Sequence, residues 1–210
     1  DQTTITDSTQ VSNEFNKYFA NIAPDLANKI PESNKIFKEF MNYGDRPMPS
    51  KSCVLLPTDA QEIISIVSQL TKSSSSGHDN IPVNLLKKII VPISQIIAKI
   101  FNSSISNGVF PSSMKLAKVY PVFKSGNKHT ISNYRPISLL TSFSKIFEKI
   151  IATRLISFLN KNNLINEAQF GFRKNHSTYM AVMQLVDKVT EALDNNEHCI
   201  GVFIDLSKAF

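Results

Sequence analysis

Residues 118–140 read KVYPVFKSGNKHTISNYRPISLL, and this stretch decides the fold class. Two short runs rich in β-forming residues, 117–123 and 134–140, are separated by a polar turn that contains glycine and asparagine. Pro121 and Pro136 have no backbone N–H to donate, which restricts both runs to edge strands. The pattern therefore predicts a projecting two-stranded hairpin.

Apolar residues recur at helical spacing before and after the hairpin. The predicted helices cover residues 10–22, 58–70, 82–107, 142–160 and 178–193. Thr58 and Gln61 form a candidate capping box at the start of the second helix, and Pro92 predicts a kink or break in the third. Helices on both sides of a hairpin make the fold class α+β.

The same spacing predicts which helical residues face the core. In the third helix the predicted inward residues are Leu85, Leu86, Ile89, Ile93, Ile96, Ile97, Ile100 and Phe101. In the fourth they are Phe143, Ile146, Phe147, Ile150, Ile151 and Leu155. These two helices are expected to supply most of the core.

Basic residues are concentrated in one part of the chain. The formal net charge is +6, yet residues 87–174 hold 14 Lys and Arg against only Glu148 and Glu167, a local charge of +12. Because apolar periodicity interrupts this block, it is typical of a folded surface for a polyanion. A solvated lysine-rich surface remains an equal alternative.

The cysteine content and hydropathy bear on the compartment. Cys53 and Cys199 are far apart and belong to no paired motif, which argues against a disulfide framework or a zinc site. No signal pattern and no apolar run long enough to span a membrane is recognised in the sequence. We therefore expect an intracellular protein in a reducing compartment, with no membrane partner.

Asp205 is the sharpest candidate for chemistry. It follows the apolar run 200–204, which is predicted to be a strand buried on both faces. A carboxylate there loses hydration unless a cation or hydrogen-bond donors compensate it, and Mg²⁺ prefers carboxylate and phosphate oxygens. The alternative is that Asp205 only caps the turn after the strand.

Several motifs occur in a characteristic order. They read KVYPVFK at 118–124, NYRPISLL at 133–140, QFGFR at 169–173 and FIDLSKAF at 203–210, preceded by NKYF at 16–19 and GHDNIP at 77–82. In this order and spacing the chain resembles the reverse transcriptases of non-LTR retrotransposons, particularly the jockey-like class. The resemblance covers most of the chain.

The resemblance implies a right-hand polymerase fold, of which the chain holds the fingers and the start of the palm. Residues 1–57 would be an N-terminal helical extension and connector, and residues 58–198 the fingers region. Residues 199–210 would be the first palm strand, truncated. The chain starts at Asp1 and ends inside an apolar run, which we interpret as an N-terminal fragment.

The resemblance also implies roles for individual residues. Asp205 matches the first catalytic aspartate of a two-metal nucleotidyl transfer, and the carbonyl of Leu206 would be a second Mg²⁺ ligand. Lys124 and Arg135 match residues that would hold the incoming triphosphate. Phe210 would be a steric gate beside the nucleotide sugar. Arg173 and Lys174 would contact template phosphates. The implied partners are an RNA template, a DNA primer and dNTPs, and the implied location of the parent protein is the nucleus.

One feature departs from the family pattern. The polymerase needs a second carboxylate motif of the Tyr-x-Asp-Asp type, and no two adjacent aspartates occur in the 210 residues. The isolated chain is therefore expected to be inactive as a polymerase. Two alternatives remain, which are a non-catalytic nucleic-acid-binding remnant or co-opted module, and a helical interaction domain in which Asp205 is structural.

Overall fold

The computed structural model describes residues 4–32 and 52–206, in two compact units, Asp1–Ser157 and Phe158–Phe210. Most of the predicted connector lies outside the described residues, as does Phe210. The elements of the described residues are, in order, α1 (Ser8–Ala27), α2 (Ala60–Gln69), α3 (Val83–Asn107), α4 (Ser112–Lys115), β1 (Lys118–Phe123), a 3₁₀ turn (Ile131–Asn133), β2 (Tyr134–Leu139), α5 (Ser142–Lys161) and α6 (Thr178–Asp194).

The predicted hairpin is confirmed. β1 and β2 pair antiparallel, with Val122 opposite Arg135 and Pro121 opposite Pro136. Each strand has one partner, so the prolines remove no hydrogen bond that a second neighbour would need. Because the two strands form a sheet of their own, the hairpin is an appendage of the first unit rather than part of its core.

The core of the first unit is helical. Ile63 and Val67 of α2 pack with buried residues of α3 and α5, and Phe101 stacks on Phe147 with ring centroids 4.5 Å apart. Burying an aliphatic or aromatic side chain of this size contributes about 1.5–3 kcal/mol. The fully buried members of the core are Ile63, Val67, Leu86, Phe101, Ile146, Phe147 and Ile150.

The start of α2 differs by one residue from the prediction. Asp59, not Thr58, is the N-cap, and its side chain accepts a hydrogen bond from the amide of Glu62 at 2.8 Å. Thr58 instead donates its hydroxyl to the Glu62 carboxylate at 2.6 Å. Both residue types cap helices well, and the carboxylate of Asp59 is the stronger acceptor for an amide.

Helix α3 runs through Pro92 without the predicted break. Proline removes one hydrogen bond from a helix, a cost that tertiary packing can offset. On either side of it, Ile90 and Ser94 are buried, so the core packs against both halves of α3. The helix ends at Asn107 and is capped by Gly108, which has φ of 65°, as the Asn-Gly pair predicted.

The predicted inward faces were too wide. Leu85, Ile96 and Ile100 of α3 are 46%, 61% and 47% exposed, and Leu155 of α5 is 43% exposed. An apolar stripe seen in a sequence is broader than the neighbouring helices cover. Among the described residues, α3 is long and apolar enough to cross a membrane, contrary to the prediction from the sequence. Its residues Leu86 and Phe101 belong to the core of the first unit.

In the second unit, the predicted strand over residues 199–206 is not formed. These residues have no assigned secondary structure, and Ile200, Val202, Phe203 and Ile204 are 79–87% exposed. A strand needs a neighbour for its backbone groups, and the described part of the second unit contains no strand that pairs with it. The preceding helix α6 also has no buried residue.

Candidate nucleic-acid and nucleotide interface

The hairpin has two faces of different character. Residues that pair across an antiparallel ladder project to the same side, and side chains alternate along each strand. One side, here the packed face, consists of Val119, Pro121, Phe123, Tyr134, Pro136 and Ser138. The other, here the free face, consists of Lys118, Tyr120, Val122, Arg135, Ile137 and Leu139.

The packed face contacts helix α1. Phe15 lies edge-on to Tyr134 with ring centroids 5.0 Å apart, and Tyr134 lies against Phe123 at 5.5 Å. The Tyr134 hydroxyl donates to the carbonyl of Lys128 at 2.8 Å, which holds the loop against the strands. These contacts cover the loop end of the packed face, around Phe123 and Tyr134, and leave the free face open to a partner there.

The free face combines positive charge with an exposed aromatic ring. Lys118 and Arg135 are exposed, and Tyr120 is 61% exposed between them. Within the part of the chain that the structure describes, the Arg135 guanidinium has no hydrogen-bond or ion-pair partner. Cations with an aromatic ring at strand spacing suit phosphates and bases of nucleic acid.

Lys124 directly follows β1 and is exposed. The amide of Lys124 donates to the carbonyl of Asn133 at 2.8 Å, which extends the ladder by one residue pair. By the alternation of the strand, Lys124 projects to the side of Val122 and stands diagonal to Arg135. The structure thus brings together the two residues predicted to hold a triphosphate.

The loop that carries Lys124 is tied internally. Gly126 has φ of 90°, and a Cβ there would lie 2.8 Å from Nδ2 of Asn133. Asn133 Nδ2 donates to the carbonyl of Asn127 at 2.9 Å, and the amide of His129 donates to Asn127 Oδ1 at 2.9 Å. These bonds give the end of the hairpin a defined shape.

A cavity of about 470 Å³, missed by the sequence analysis, lies between this loop and α1. Its lining includes Ile5, Val11, Phe15, Lys128 and Tyr134. The apolar residues of α1 are visible in the sequence, but only the fold shows that they face the hairpin loop.

Arg173 and Lys174 lie in a loop of the second unit and differ from each other. Nη1 of Arg173 donates to the carbonyls of Asn166 and Gln169 at 3.2 and 3.4 Å, so this guanidinium braces its own loop. Lys174 is exposed. Phe172, at the same turn, is 98% exposed with φ of 61°.

Asp205 and Leu206 lie in the exposed segment 199–206 of the second unit. Their carboxylate and carbonyl oxygens are donors that Mg²⁺ accepts. Over residues 4–32 and 52–206, no group of three or more His, Cys, Asp and Glu is placed to hold a metal ion. These two oxygen ligands therefore suit Mg²⁺ chemically, but they form an incomplete ligand set because only one of them is a carboxylate.

Comparison with known proteins gives a consistent result. Residues 124–210 match the model of the reverse transcriptase (RNA-dependent DNA polymerase) family. The chain is 33% identical over 175 residues to the probable RNA-directed DNA polymerase from transposon BS of Drosophila melanogaster, covering 83% of the chain and 19% of that protein. It is 31% identical over 184 residues to the RNA-directed DNA polymerase from mobile element jockey of Drosophila melanogaster, covering 87% and 20%.

The matched region begins at Lys124, directly after β1, and contains β2 and every candidate site residue, which identifies part of a reverse transcriptase domain and implies its polymerase fold. The matched proteins narrow this class to one group: the chain is related to the reverse transcriptases of jockey-like non-LTR retrotransposons. The resemblance predicted from the motifs is confirmed. The chain spans about a fifth of the length of the curated relatives it matches.

Proposed function

We propose that this chain forms the fingers and the start of the palm of an RNA-directed DNA polymerase that copies the RNA of a non-LTR retrotransposon. The observation that carries the proposal is the free face of the hairpin, where Lys124 and Arg135 stand diagonal to each other and open to solvent. Two adjacent cations without protein partners suit a polyphosphate.

On this proposal the two cations bind the triphosphate of the incoming dNTP. Arg135 lies within a paired strand, so its planar guanidinium is well placed for a two-pronged phosphate contact. Lys124 follows the end of β1 and supplies a mobile point charge. Their joint effect is to hold the nucleotide by its charge before the chemical step.

The palm residues would supply the metal-binding part of the polymerase. Asp205 and the carbonyl of Leu206 would bind Mg²⁺, which in two-metal sites activates the attacking hydroxyl and stabilises the leaving phosphate. Phe210 would stand against the sugar of the nucleotide. Segment 199–206 is exposed and apolar, a character that fits a strand completed by pairing with further palm strands.

We propose that the RNA template and DNA primer lie against the basic block 87–174, and that Lys174 is one of the phosphate contacts. We also propose that the parent protein acts in the nucleus. The 210 residues contain no adjacent aspartates, so we propose that this stretch binds nucleic acid without extending a primer. Primer extension by the purified chain, lost in Asp205→Ala, would contradict the second part.

A salt titration tests the nucleic-acid part. Binding of the 210-residue chain to a labelled RNA–DNA duplex is measured by fluorescence anisotropy at increasing salt concentration. If about five cations neutralise phosphates, the log–log slope should be on the order of −4. A flat titration would remove both the polymerase proposal and the alternative of a non-catalytic nucleic-acid-binding module.

Matched lysine variants sharpen this titration. Lys118→Gln removes a charge from the free face and should reduce the slope by about 0.9. Lys188→Gln removes the same charge from α6, where the ammonium already lies 3.0 Å from Glu191, and should leave the slope unchanged. Equal effects of the two variants would show that only net charge matters.

A further inference from the structure

A buried glycine lies against the base of the hairpin. Gly77 precedes α3 and is buried, and a Cβ at this position would lie 2.7 Å from the amide nitrogen of Thr141 and 2.8 Å from the carbonyl carbon of Leu140. Cβ atoms do not approach other atoms that closely. Because the contacted atoms are backbone, no side-chain rotation relieves the clash.

The loop around Gly77 is held in place by its own hydrogen bonds. The amide of Asn80 donates to the carbonyl of Gly77 at 3.3 Å, with Asn80 in the left-handed region at φ of 56°. The amide of Ile81 donates to Oδ1 of Asp79 at 3.1 Å. The loop therefore presents the backbone of Gly77 as a fixed surface.

The loop is also bonded to the segment that follows the hairpin. Ser142 Oγ donates to the carbonyl of Ile81 at 2.9 Å. Thr141 and Ser142 are 4% and 1% exposed, and Thr141 Oγ1 accepts from the amide of Ser144 at 3.1 Å as α5 begins. Two contacts, one steric and one hydrogen-bonded, thus join the loop to the same three residues.

This segment is the connection between the hairpin and the core. β2 ends at Leu139 and α5 begins at Ser142, so only Leu140 and Thr141 lie between them. Helix α5 is anchored in the core by Ile146 and Ile150, both fully buried. A displacement at Thr141 would therefore be passed to β2 rather than to α5, because the strand has fewer buried residues to resist it.

We propose that Gly77 is a positioning residue, whose loop sets the direction of the hairpin through its contacts with Thr141 and Ser142 together and so places Lys124 and Arg135. The geometric part stands on the contacts of the first unit alone. Its consequence for nucleic acid and nucleotide binding rests on the proposed function.

Distance measurement by electron spin resonance tests the geometric part. Spin labels are attached at Ser125→Cys in the hairpin loop and Lys99→Cys on α3, both exposed positions, after the exposed Cys53 and Cys199 are replaced by serine. Gly77→Ala should shift or broaden the distance distribution. An unchanged distribution in folded Gly77→Ala would overturn the proposal.

Gly108→Ala is the control for lost stability. It places alanine at φ of 65°, which costs about 1 kcal/mol, yet nothing lies within 4 Å of the new Cβ. It should leave the distance distribution unchanged. If Gly77→Ala does not fold, Ser142→Ala is measured instead, because it removes the hydrogen bond to the carbonyl of Ile81 without adding volume. An unchanged distance distribution in Ser142→Ala would also overturn the proposal.

The functional part is read by the salt titration on the RNA–DNA duplex. Gly77→Ala should reduce the log–log slope by about 1, as a misdirected free face loses a phosphate contact, while Gly108→Ala should not. A slope unchanged despite a shifted hairpin would contradict this part. A flat titration in the unsubstituted chain would refute the proposed function, while the spin-label distances would still decide whether Gly77 positions the hairpin.

Discussion

Arg154 on α5 binds Glu62 on α2 through two nitrogen–oxygen contacts, at 2.8 Å from Nη2 to Oε2 and 3.0 Å from Nη1 to Oε1. The same guanidinium donates to the carbonyls of Leu56 and Pro57 at 2.6 and 2.9 Å, and to that of Ile150 at 3.2 Å. One side chain thus fastens the segment before α2 to two helices of the core. A planar guanidinium with five donors is suited to this, and lysine is not.

This ion pair predicts how the stability of the first unit depends on pH. The hydrogen bond from Arg154 lowers the pKa of the Glu62 carboxyl below its usual 4.5, against an opposing effect of burial. A carboxyl with a lowered folded-state pKa stabilises the fold above its unfolded pKa. That contribution is lost as the pH falls through the folded-state pKa.

Glu62→Gln should therefore lower the free energy of unfolding at pH 7 by about 1.5–3 kcal/mol, the contribution of charged hydrogen bonds. The difference from the unsubstituted chain should shrink once the pH falls below 4.5, and urea denaturation at several pH values measures it. Glu191→Gln breaks an exposed ion pair of α6 and should cost less than about 1 kcal/mol. A pH-independent cost of Glu62→Gln would contradict the assignment to charge.

The hairpin could be predicted from the sequence because its signals are local. β-forming runs, a turn and two edge prolines all lie within the 23 residues 118–140, and the strand bounds agree with the prediction to within one residue. The segment that ends at Asp205 has an equally apolar sequence, but a strand also depends on a neighbour to pair with. The local sequence pattern predicts which segments can form strands, and the presence of a pairing partner decides which of them do form strands.

Long-range contacts explain the features that sequence reasoning missed. Arg154 and Glu62 are 92 positions apart, and nothing near either residue indicates its partner. Gly77 lies in a motif that supported the resemblance, but the reason for a glycine there is the backbone of Thr141. Lys124 and Arg135 were found through the motif, and only the ladder register places them on one face.

The triphosphate assignment predicts the kinetics of hairpin variants. A chimera that continues after residue 210 with the polymerase of mobile element jockey supplies a complete active site for the measurement. Arg135→Ala and Lys124→Ala should mainly raise the KM for dNTP, because triphosphate charge is held before the transition state. A charged hydrogen bond of about 1.5–3 kcal/mol corresponds to a ten- to hundred-fold change, with Arg135 the more severe.

The control for these variants is Lys188→Ala, which removes a cation on α6 and should leave the KM for dNTP unchanged. Lys124→Arg should retain more activity than Lys124→Ala if charge is what matters there. Unchanged dNTP kinetics in Arg135→Ala, in a chimera that extends primers, would refute the triphosphate assignment.

Arg173 and Lys174 are neighbours, and the structure predicts opposite results for them. Arg173→Ala should increase amide hydrogen exchange in the loop at residues 166–176, because it frees the carbonyls of Asn166 and Gln169. Lys174→Ala should leave exchange unchanged and reduce the salt slope of nucleic-acid binding by about 0.9. If Arg173→Ala alone reduced the slope, the guanidinium would be a template contact rather than a loop brace.

Asp205 is predicted to be essential in the chimera. Asp205→Asn should abolish primer extension while leaving nucleic-acid binding intact, because an amide is a poor ligand for Mg²⁺. The control is Asp187→Asn on α6, which changes an exposed aspartate of the same unit and should extend primers normally. Normal extension by Asp205→Asn would make Asp205 a turn residue without a role in catalysis.

The last prediction concerns Phe210, five positions after Asp205 and outside the described residues. As a steric gate, its ring would leave no room for a ribose 2′-hydroxyl and offer it no hydrogen-bond partner, so ribonucleotides would bind less well. Phe210→Val in the chimera should then reduce discrimination against rNTPs while much of the dNTP activity remains. A phenylalanine that only packs the core would behave differently, because its loss would lower stability and both activities together. Two measurements on the same variant separate the two roles: competition between dNTP and rNTP in primer extension, and thermal unfolding. Unchanged selectivity in a well-folded Phe210→Val would assign Phe210 to packing.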